Sequence, residues 1–266
     1  MKKEVRVTKE EVKKGLNRVG LKEEDVVLVH SSLSSFGYVE GGPDTIIDAL
    51  LETVGKKGTV VMPTFTWDSF HDKERVVFDL VNTSVKSEVG IIPETFRKRK
   101  EARRSLHICH SVAAIGPHSE DVMGEGVSGF GKGSTFEQLY KLDAWNLFLG
   151  VGFNSCTALH AVEEFMQVPY RYYRDFRNCF VILPDGTKIP SKSVEYLRKD
   201  GYENDFQKME KIFIEHNVLH TCKIGEAKII NVKIRDIFDI TKRYLEKDIG
   251  FLLTAESKKL LKKEFE

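Results

Sequence analysis

The stretch WNLFLGVGFNSCTALHAVEEF, Trp145 to Phe165, decides the fold class. An apolar, strand-like run ends in glycines, and a polar turn then opens a helix that carries His160, Glu163 and Glu164. Residues three and four apart on a helix share a face, so either glutamate can orient and polarise the His160 imidazole, which is the layout of a general base. A strand feeding a helix in this way is half of a βα unit. If the strand runs parallel to its neighbours, its carboxyl end is where open α/β sheets place their ligands.

Working outward, the same alternation recurs. Thr8 and Glu11 form a capping box for a helix over 9–19, and DVVLVH at 25–30 reads as a short buried strand. A Ser- and Gly-rich loop follows, then a helix from Pro43 to about Gly55 and the strand GTVVMPTF, which completes a βαβ unit. Residues 67–90 read as irregular, Pro93 begins another helix, SVAAIG at 111–116 reads as a strand, and Ser134 with Glu137 makes a second capping box. Beyond the central stretch, FRNCFVILPDGTKIP reads as a hairpin turning at Pro184-Asp185-Gly186, with a helix over about 204–216. A strand at AKIINVKI, a helix over 234–246 and an amphipathic helix over 254–266, packed by Phe251, Leu252, Leu260 and Leu261, complete the chain. With no repeat and no linker, 1–266 reads as a single α/β domain with a small insertion.

Charge and composition narrow the function. The 41 Lys and Arg nearly cancel the 40 Asp and Glu, so no global field points to nucleic acid. The local basic run Arg97 to Arg104 reads first as a solvated helix end, with one arginine available to a phosphate-bearing cofactor. Four dispersed cysteines, at 109, 156, 179 and 222, fit a reducing compartment better than a disulfide scaffold. The amino terminus lacks the apolar core of a signal peptide, and no run approaches the roughly 18 apolar residues of a membrane span. A cytoplasmic location is expected, with no membrane partner.

Three further features carry chemistry. The loop HSSLSSFGYVEGG lies between a strand and a helix; its hydroxyls and free N–H groups suit a phosphate or pyrophosphate, although it is neither a Walker loop nor GxGxxG. In SLHICHSVAAIG, His107, Cys109 and His110 raise zinc, but an extended segment would send the two histidines to opposite faces, so no metal is expected. Cys156, four residues before His160, allows a thiolate and an acyl-enzyme, against the plainer reading of a small buried residue.

The strings VLVHSSLSSFGYVEGGPDTIIDALLETVGKKGTVVMPTFT, RSLHICHSVAAIGPHSE, GFGKGSTFEQLYKLDAWNLFLGVGFNSCTALHAVEE and VPYRYYRDF closely resemble the aminoglycoside 3-N-acetyltransferase family, in order from about residue 5 to 245. The chain departs from the family's usual Pro-Thr at Ile108 and Cys109, and in the 154–157 turn. The resemblance implies a three-layer α/β/α sandwich with a mixed, largely parallel central sheet and a small hairpin insertion. It implies acetyl transfer from acetyl-CoA to the 3-amino group of a deoxystreptamine ring, without a metal, in a chain that can form a homodimer. It also implies that CoA is held by Ser31, Ser32, Leu33, Ser34, Ser35, Phe36 and Gly37, by Arg104, Ser111 and Val112, and by Gly133 and Ser134.

On that footing His160, oriented by Glu163, takes the proton as the amine attacks the thioester, and Thr157 is either an oxyanion donor or a helix cap. A polycationic acceptor would suit Thr66, Trp67, Asp68, Tyr172, Asp175, Asp205 and Glu210. Other readings stay open: an N-acyltransferase of the same fold with a different amine or acyl group, a non-catalytic CoA-binding protein, and, more distantly, a zinc hydrolase.

Overall fold

The computed structural model describes residues 6–176 and 178–265. Met1 to Val5, on which part of the leader reading fell, and Arg177 and Glu266, inside the expected hairpin and tail helix, lie outside them. The centre is a seven-stranded mixed sheet in the order His220–Ile224, Ala227–Lys233, Trp145–Leu149, Val26–Ser31, Thr59–Pro63, Val112–Ile115, Arg103–Arg104. Only its middle three strands are mutually parallel; the other four pairings are antiparallel. "Largely parallel" therefore holds for the heart of the sheet and not for its flanks. Strands 220–224 and 227–233 are joined by two residues, and 103–104 reaches 112–115 through a short turn, connections too short for a parallel crossover.

Side chains alternate across the central strands, as a sheet covered on both faces requires. Val27, Val29, Val60, Met62, Leu147 and Leu149 pack on one side with helices Lys9–Arg18, Gly42–Val54 and Ile91–Phe96. Val26, Leu28, Val61 and Phe148 pack on the other with Thr135–Lys141, Ala158–Phe165 and Ile234–Lys247, giving three layers. The Thr8 capping box is fully formed. At the second, Ser134 accepts the Glu137 N–H, but the Glu137 carboxylate reaches the Gly133 N–H instead of closing the box.

Residues 67–90 are more ordered than their polarity suggests, with short helices Trp67–Phe70 and Lys86–Val89 and the strand Val77–Asp79. That strand joins the expected hairpin, Phe180–Ile182 against Lys188–Pro190, over its own small core of Phe78, Ile108, Cys109, Cys179 and Val181. A second antiparallel pair, Arg171–Asp175 with Val194–Arg198, closes over the carboxyl-terminal half of helix Ala158–Phe165. Two boundaries move. The expected 204–216 helix is Met209–Glu215, and in the tail Leu252 and Leu261 are buried while Leu260 is exposed.

Candidate active site

A cleft of about 810 Å³ opens at the carboxyl ends of the three parallel strands, reaching Ser31, Pro63 and Val151. The Gly42–Val54 crossover covers one face of the sheet and Ala158–Phe165 the other, so the cleft sits where the chain switches faces. Its floor is pinned by two contacts: the Ser32 N–H donates to Leu149 O at 2.9 Å and the Ser35 hydroxyl to Gly150 O at 2.8 Å. Gly150 has φ +73°, and a Cβ there would stand 2.4 Å from the Ser35 Cβ, so only glycine lets the loop close on the turn.

His160 lines this cleft from the first turn and a half of its helix. Its Nδ1 lies 2.7 Å from Glu163 Oε2, three residues on. Glu164 turns elsewhere, accepting from the Ser128 hydroxyl at 2.8 Å, so Glu163 is the partner. Glu163 is fully buried, and its second oxygen accepts from Tyr170 Oη at 3.0 Å and Asn204 Nδ2 at 2.6 Å. Arg171 Nη2 is ion-paired with Glu163 Oε2 at 2.9 Å and stands 2.9 Å from His160 Nδ1 as a second cationic neighbour of that carboxylate, and the guanidinium donates to Tyr196 O and Asn204 Oδ1. Phe130 and Phe206 pack on the imidazole at 5.2 and 4.8 Å.

This environment sets the protonation states. Burial and then the Arg171 charge lower His160 to about 4, against the pull of Glu163, so the ring is neutral near pH 7. Burial would raise the Glu163 carboxyl, but Arg171 and His160 hold it below the ordinary carboxylate value. With Glu163 accepting from Nδ1–H, the Nε2 lone pair is left to take a proton.

Thr157 and Cys156 also line the cleft. Thr157 occupies the N-cap position without a side-chain capping bond; its hydroxyl has only a 3.5 Å contact with Ser155 O. Burial pushes the Cys156 thiol up to about 12, which removes the thiolate an acyl-enzyme would need.

Of the residues expected around CoA, Ser31, Ser32, Leu33, Ser34 and Gly37 line the cleft. Ser35 holds the turn and Phe36 is buried in the core. Arg104 faces inward, donating to Leu80 O, Thr83 O and Thr64 O with its guanidinium over the Phe78 ring. Ser111 is buried on Thr64, Val112 is buried in its strand, and Gly133 and Ser134 form the amino-terminal cap of Thr135–Lys141. Four other members of the basic run form ion pairs, Arg97 and Lys98 with Glu94, Arg99 with Asp44 and Asp48, and Arg103 with Glu120.

None of the seven expected acceptor residues lines this cleft. Thr66 is buried and donates its hydroxyl to Ile108 O; Trp67 stacks on His71 at 4.0 Å, and the Asp68 N–H is held by Glu88. Tyr172 and Asp175 are exposed on the Arg171–Asp175 strand, Asp205 lies 3.6 Å from Lys208, and Glu210 is paired with Lys228. Sequence reasoning missed Arg171, Tyr170 and Asn204, and in the cleft it missed Val89 and Ile91.

Read as a strand, residues 107–110 send their histidines apart; the structure instead turns there and brings His107, His110 and Glu195 within 4.8 Å of one another. The hydrogen bonds show what this cluster does with its protons. His107 Nδ1 accepts the His110 N–H at 3.0 Å, so its proton is on Nε2, which donates to Val194 O at 3.2 Å. His107 thus has no lone pair free for a cation, and His110 Nδ1 lies 2.7 Å from the buried Glu195 carboxylate.

The family model described as aminoglycoside 3-N-acetyltransferase matches residues 28–246. The aminoglycoside N(3')-acetyltransferase-like protein YokD of the SPbeta prophage in Bacillus subtilis is 30% identical over 257 residues, covering 89% of this chain and 92% of that protein. Aminoglycoside N(3)-acetyltransferase IV of Salmonella sp is 31% identical over 224 residues, covering 84% and 81%. Among solved structures, the apoenzyme of aminoglycoside acetyltransferase AAC(3)-IVa superposes with a TM-score of 0.80 at 28% identity, over 96% of this chain and 94% of that one. AAC-IIIb, in a binary complex with CoASH, superposes at 0.79 and 25% identity, over 91% and 97%.

Proposed function

Because this chain belongs to the aminoglycoside 3-N-acetyltransferase family, its model matched over residues 28–246, we propose that it transfers the acetyl group of acetyl-CoA to the 3-amino group of a 2-deoxystreptamine aminoglycoside. His160 is the general base. The observation that carries this is the 2.7 Å contact between His160 Nδ1 and the buried Glu163, at the wall of the cleft over the parallel strand ends. The CoASH complex of AAC-IIIb supports the choice of donor.

The acceptor enters as a free amine and attacks the thioester carbonyl carbon, held about 3 to 3.5 Å away. As the C–N bond forms the nitrogen turns cationic, which makes its proton acidic enough for a weak imidazole base to take. Glu163 stabilises the resulting imidazolium. The tetrahedral intermediate then collapses with loss of the C–S bond, and the proton on His160 passes to the departing CoA thiolate. Thr157, with no capping bond to make, is the hydroxyl best suited to donate to the oxyanion. A second reading, the same reaction on a less cationic amine, is favoured by the pairing of Asp205 and Glu210 with lysines.

The test is thiol release from acetyl-CoA against a panel of aminoglycosides and simple amines, with His160→Ala alongside. A 2-deoxystreptamine drug should release thiol, and the variant should lose about two to four orders of magnitude in turnover while still binding CoA. Release with simple amines alone would move the acceptor elsewhere, and an equal loss of CoA affinity in the variant would remove His160 from the base role. Among the described residues no helix is long and apolar enough to cross a membrane. A cytoplasmic location and a homodimer belong to the same reading, and sedimentation tests the second.

A further inference from the structure

The cleft is electrically unusual for a site that takes a nucleotide. Among the described residues that line it there is no lysine and no arginine, and the one carboxylate is Glu88. Glu88 is itself committed, accepting from the N–H groups of Asp68 and Ser69 and from the Ser69 hydroxyl. Three nearby arginines are engaged within the protein, and Lys86, at the start of the helix that supplies Glu88 and Val89, is exposed and does not line the cleft. Arg104 spends its guanidinium on three backbone carbonyls and the hydroxyls of Thr64 and Ser111. Arg99 is bound by Asp44 and Asp48 in the helix after the loop. Arg6 lies over the ring of Tyr38, a lining residue, but is 2.8 Å from Glu40.

What remains is neutral: the hydroxyls of Ser31, Ser32 and Ser34, the Asn154 amide, and the apolar Leu33, Val89, Ile91 and Val151. That lining matches the pantetheine arm, which carries two amides, one hydroxyl and a gem-dimethyl group, and the loop N–H groups can serve a pyrophosphate. It offers nothing comparable to the dianionic 3′-phosphate at the far end of CoA.

We propose that this chain selects its donor by the thioester and pantetheine arm and leaves the 3′-phosphate unread, so that acetyl thioesters of 4′-phosphopantetheine carriers other than CoA are also substrates. The inference rests on the acetyl-CoA reading above. Where an enzyme grips a phosphate with Arg or Lys, losing that group costs roughly tenfold to a hundredfold. Here acetyl-3′-dephospho-CoA should retain kcat/KM within about fivefold of acetyl-CoA, because no charge-assisted contact is lost. Acetyl-4′-phosphopantetheine should keep more than about a tenth, and the KM for acetyl-CoA should change less than about threefold between low and high salt.

The experiment measures thiol release from the three donors with one saturating amine, in the full chain and in Arg6→Ala. Equal donor ratios in both proteins, within those limits, are expected. A drop of fivefold or more with acetyl-3′-dephospho-CoA, while acetyl-CoA turns over briskly, overturns the inference alone; if that drop vanishes in Arg6→Ala, Arg6 is the reader. A drop below a tenth confined to acetyl-4′-phosphopantetheine overturns the extension to other carriers. If acetyl-CoA itself supports no release with any amine, the functional reading fails and this inference falls with it.

Discussion

Arg171 is the residue whose removal should change the pH dependence of the reaction most. It contacts both halves of the His160–Glu163 pair at 2.9 Å, and its charge works against protonation of the ring. Arg171→Met relieves that repulsion and also leaves His160 as the main cationic partner of Glu163. Two unit charges about 4 Å apart at an effective dielectric near 20 interact by about 4 kcal/mol, an upper bound for this solvent-edged pair. Half of that or less raises the His160 pKa from about 4 by roughly one to one and a half units. The sign is fixed by the proposed base role, in which activity needs the neutral ring and falls as pH drops through its pKa. At pH 5 a ring of pKa about 4 is about nine-tenths active, and one of pKa about 5.5 about a quarter active. The assay is kcat/KM from pH 4.5 to 8, read as the variant to wild-type ratio, which cancels the titration of the amine substrate common to both. Arg171→Met also strips a donor from Tyr196 O and Asn204 Oδ1, and breaking a buried pair can cost about 3–5 kcal/mol. Arg171→Lys therefore serves as control: it keeps the charge and should bring the acid limb back toward wild type. A limb in Arg171→Met that coincides with wild type, or lies below it, refutes the reasoning.

Four other outcomes follow from the same geometry. Cys156→Ser should keep activity within about threefold, because a thiol pushed up to about 12 is no nucleophile; an acetylated Cys156 detected by mass spectrometry would reinstate a covalent route. Thr157→Val should lower kcat about a hundredfold with KM little changed if the hydroxyl serves the oxyanion, and unaltered kcat excludes it. His30 and His160 both titrate near 4 in the fold against 6.5 in the unfolded chain. Stability should thus be complete above pH 6.5 and decline toward pH 4, by up to about 1.4 kcal/mol per pH unit for each ring, and equal urea midpoints at pH 7 and 5 would contradict this. Arg104→Met should cost about 2–4 kcal/mol of stability and leave the donor KM unchanged; a raised KM with an unshifted melting temperature would put Arg104 on the donor.

What was legible in the sequence is what is local. Thr8 with Glu11, and His160 with Glu163, are three residues apart, and helical geometry alone brings each pair together. The same holds for the parallel heart of the sheet, where long apolar runs alternate with helices of crossover length. Of the flanks, Val112–Ile115 and Ala227–Lys233 were legible as apolar runs, but His220–Ile224 escaped because it is an exposed edge strand with little hydrophobic pattern, and only its pairing with Ala227–Lys233 gives it a strand's identity. At Ser134 the box motif was present and half of it formed, since a glutamate in the first turn has two free N–H groups within reach and took the one on Gly133. At His107 and His110 the error lay in assuming an extended backbone; a turn reverses the argument about faces.

The unread part of the site is tertiary in origin. Arg171, Tyr170 and Asn204 follow His160 by 11, 10 and 44 residues, and nothing in their own surroundings marks them. Their role depends on one pairing, Arg171–Asp175 against Val194–Arg198, which lays a strand across the end of helix Ala158–Phe165. That pairing lets the Arg171 guanidinium bridge Glu163, Tyr196 O and Asn204. The helix alone would have produced a solvated histidine beside a glutamate, with a pKa near or above its ordinary value. Closing the strand over it buries the glutamate, supplies the opposing charge and turns a common i,i+3 contact into an imidazole that is neutral at physiological pH. The sequence thus specifies the pair, and the sheet that covers it specifies the chemistry.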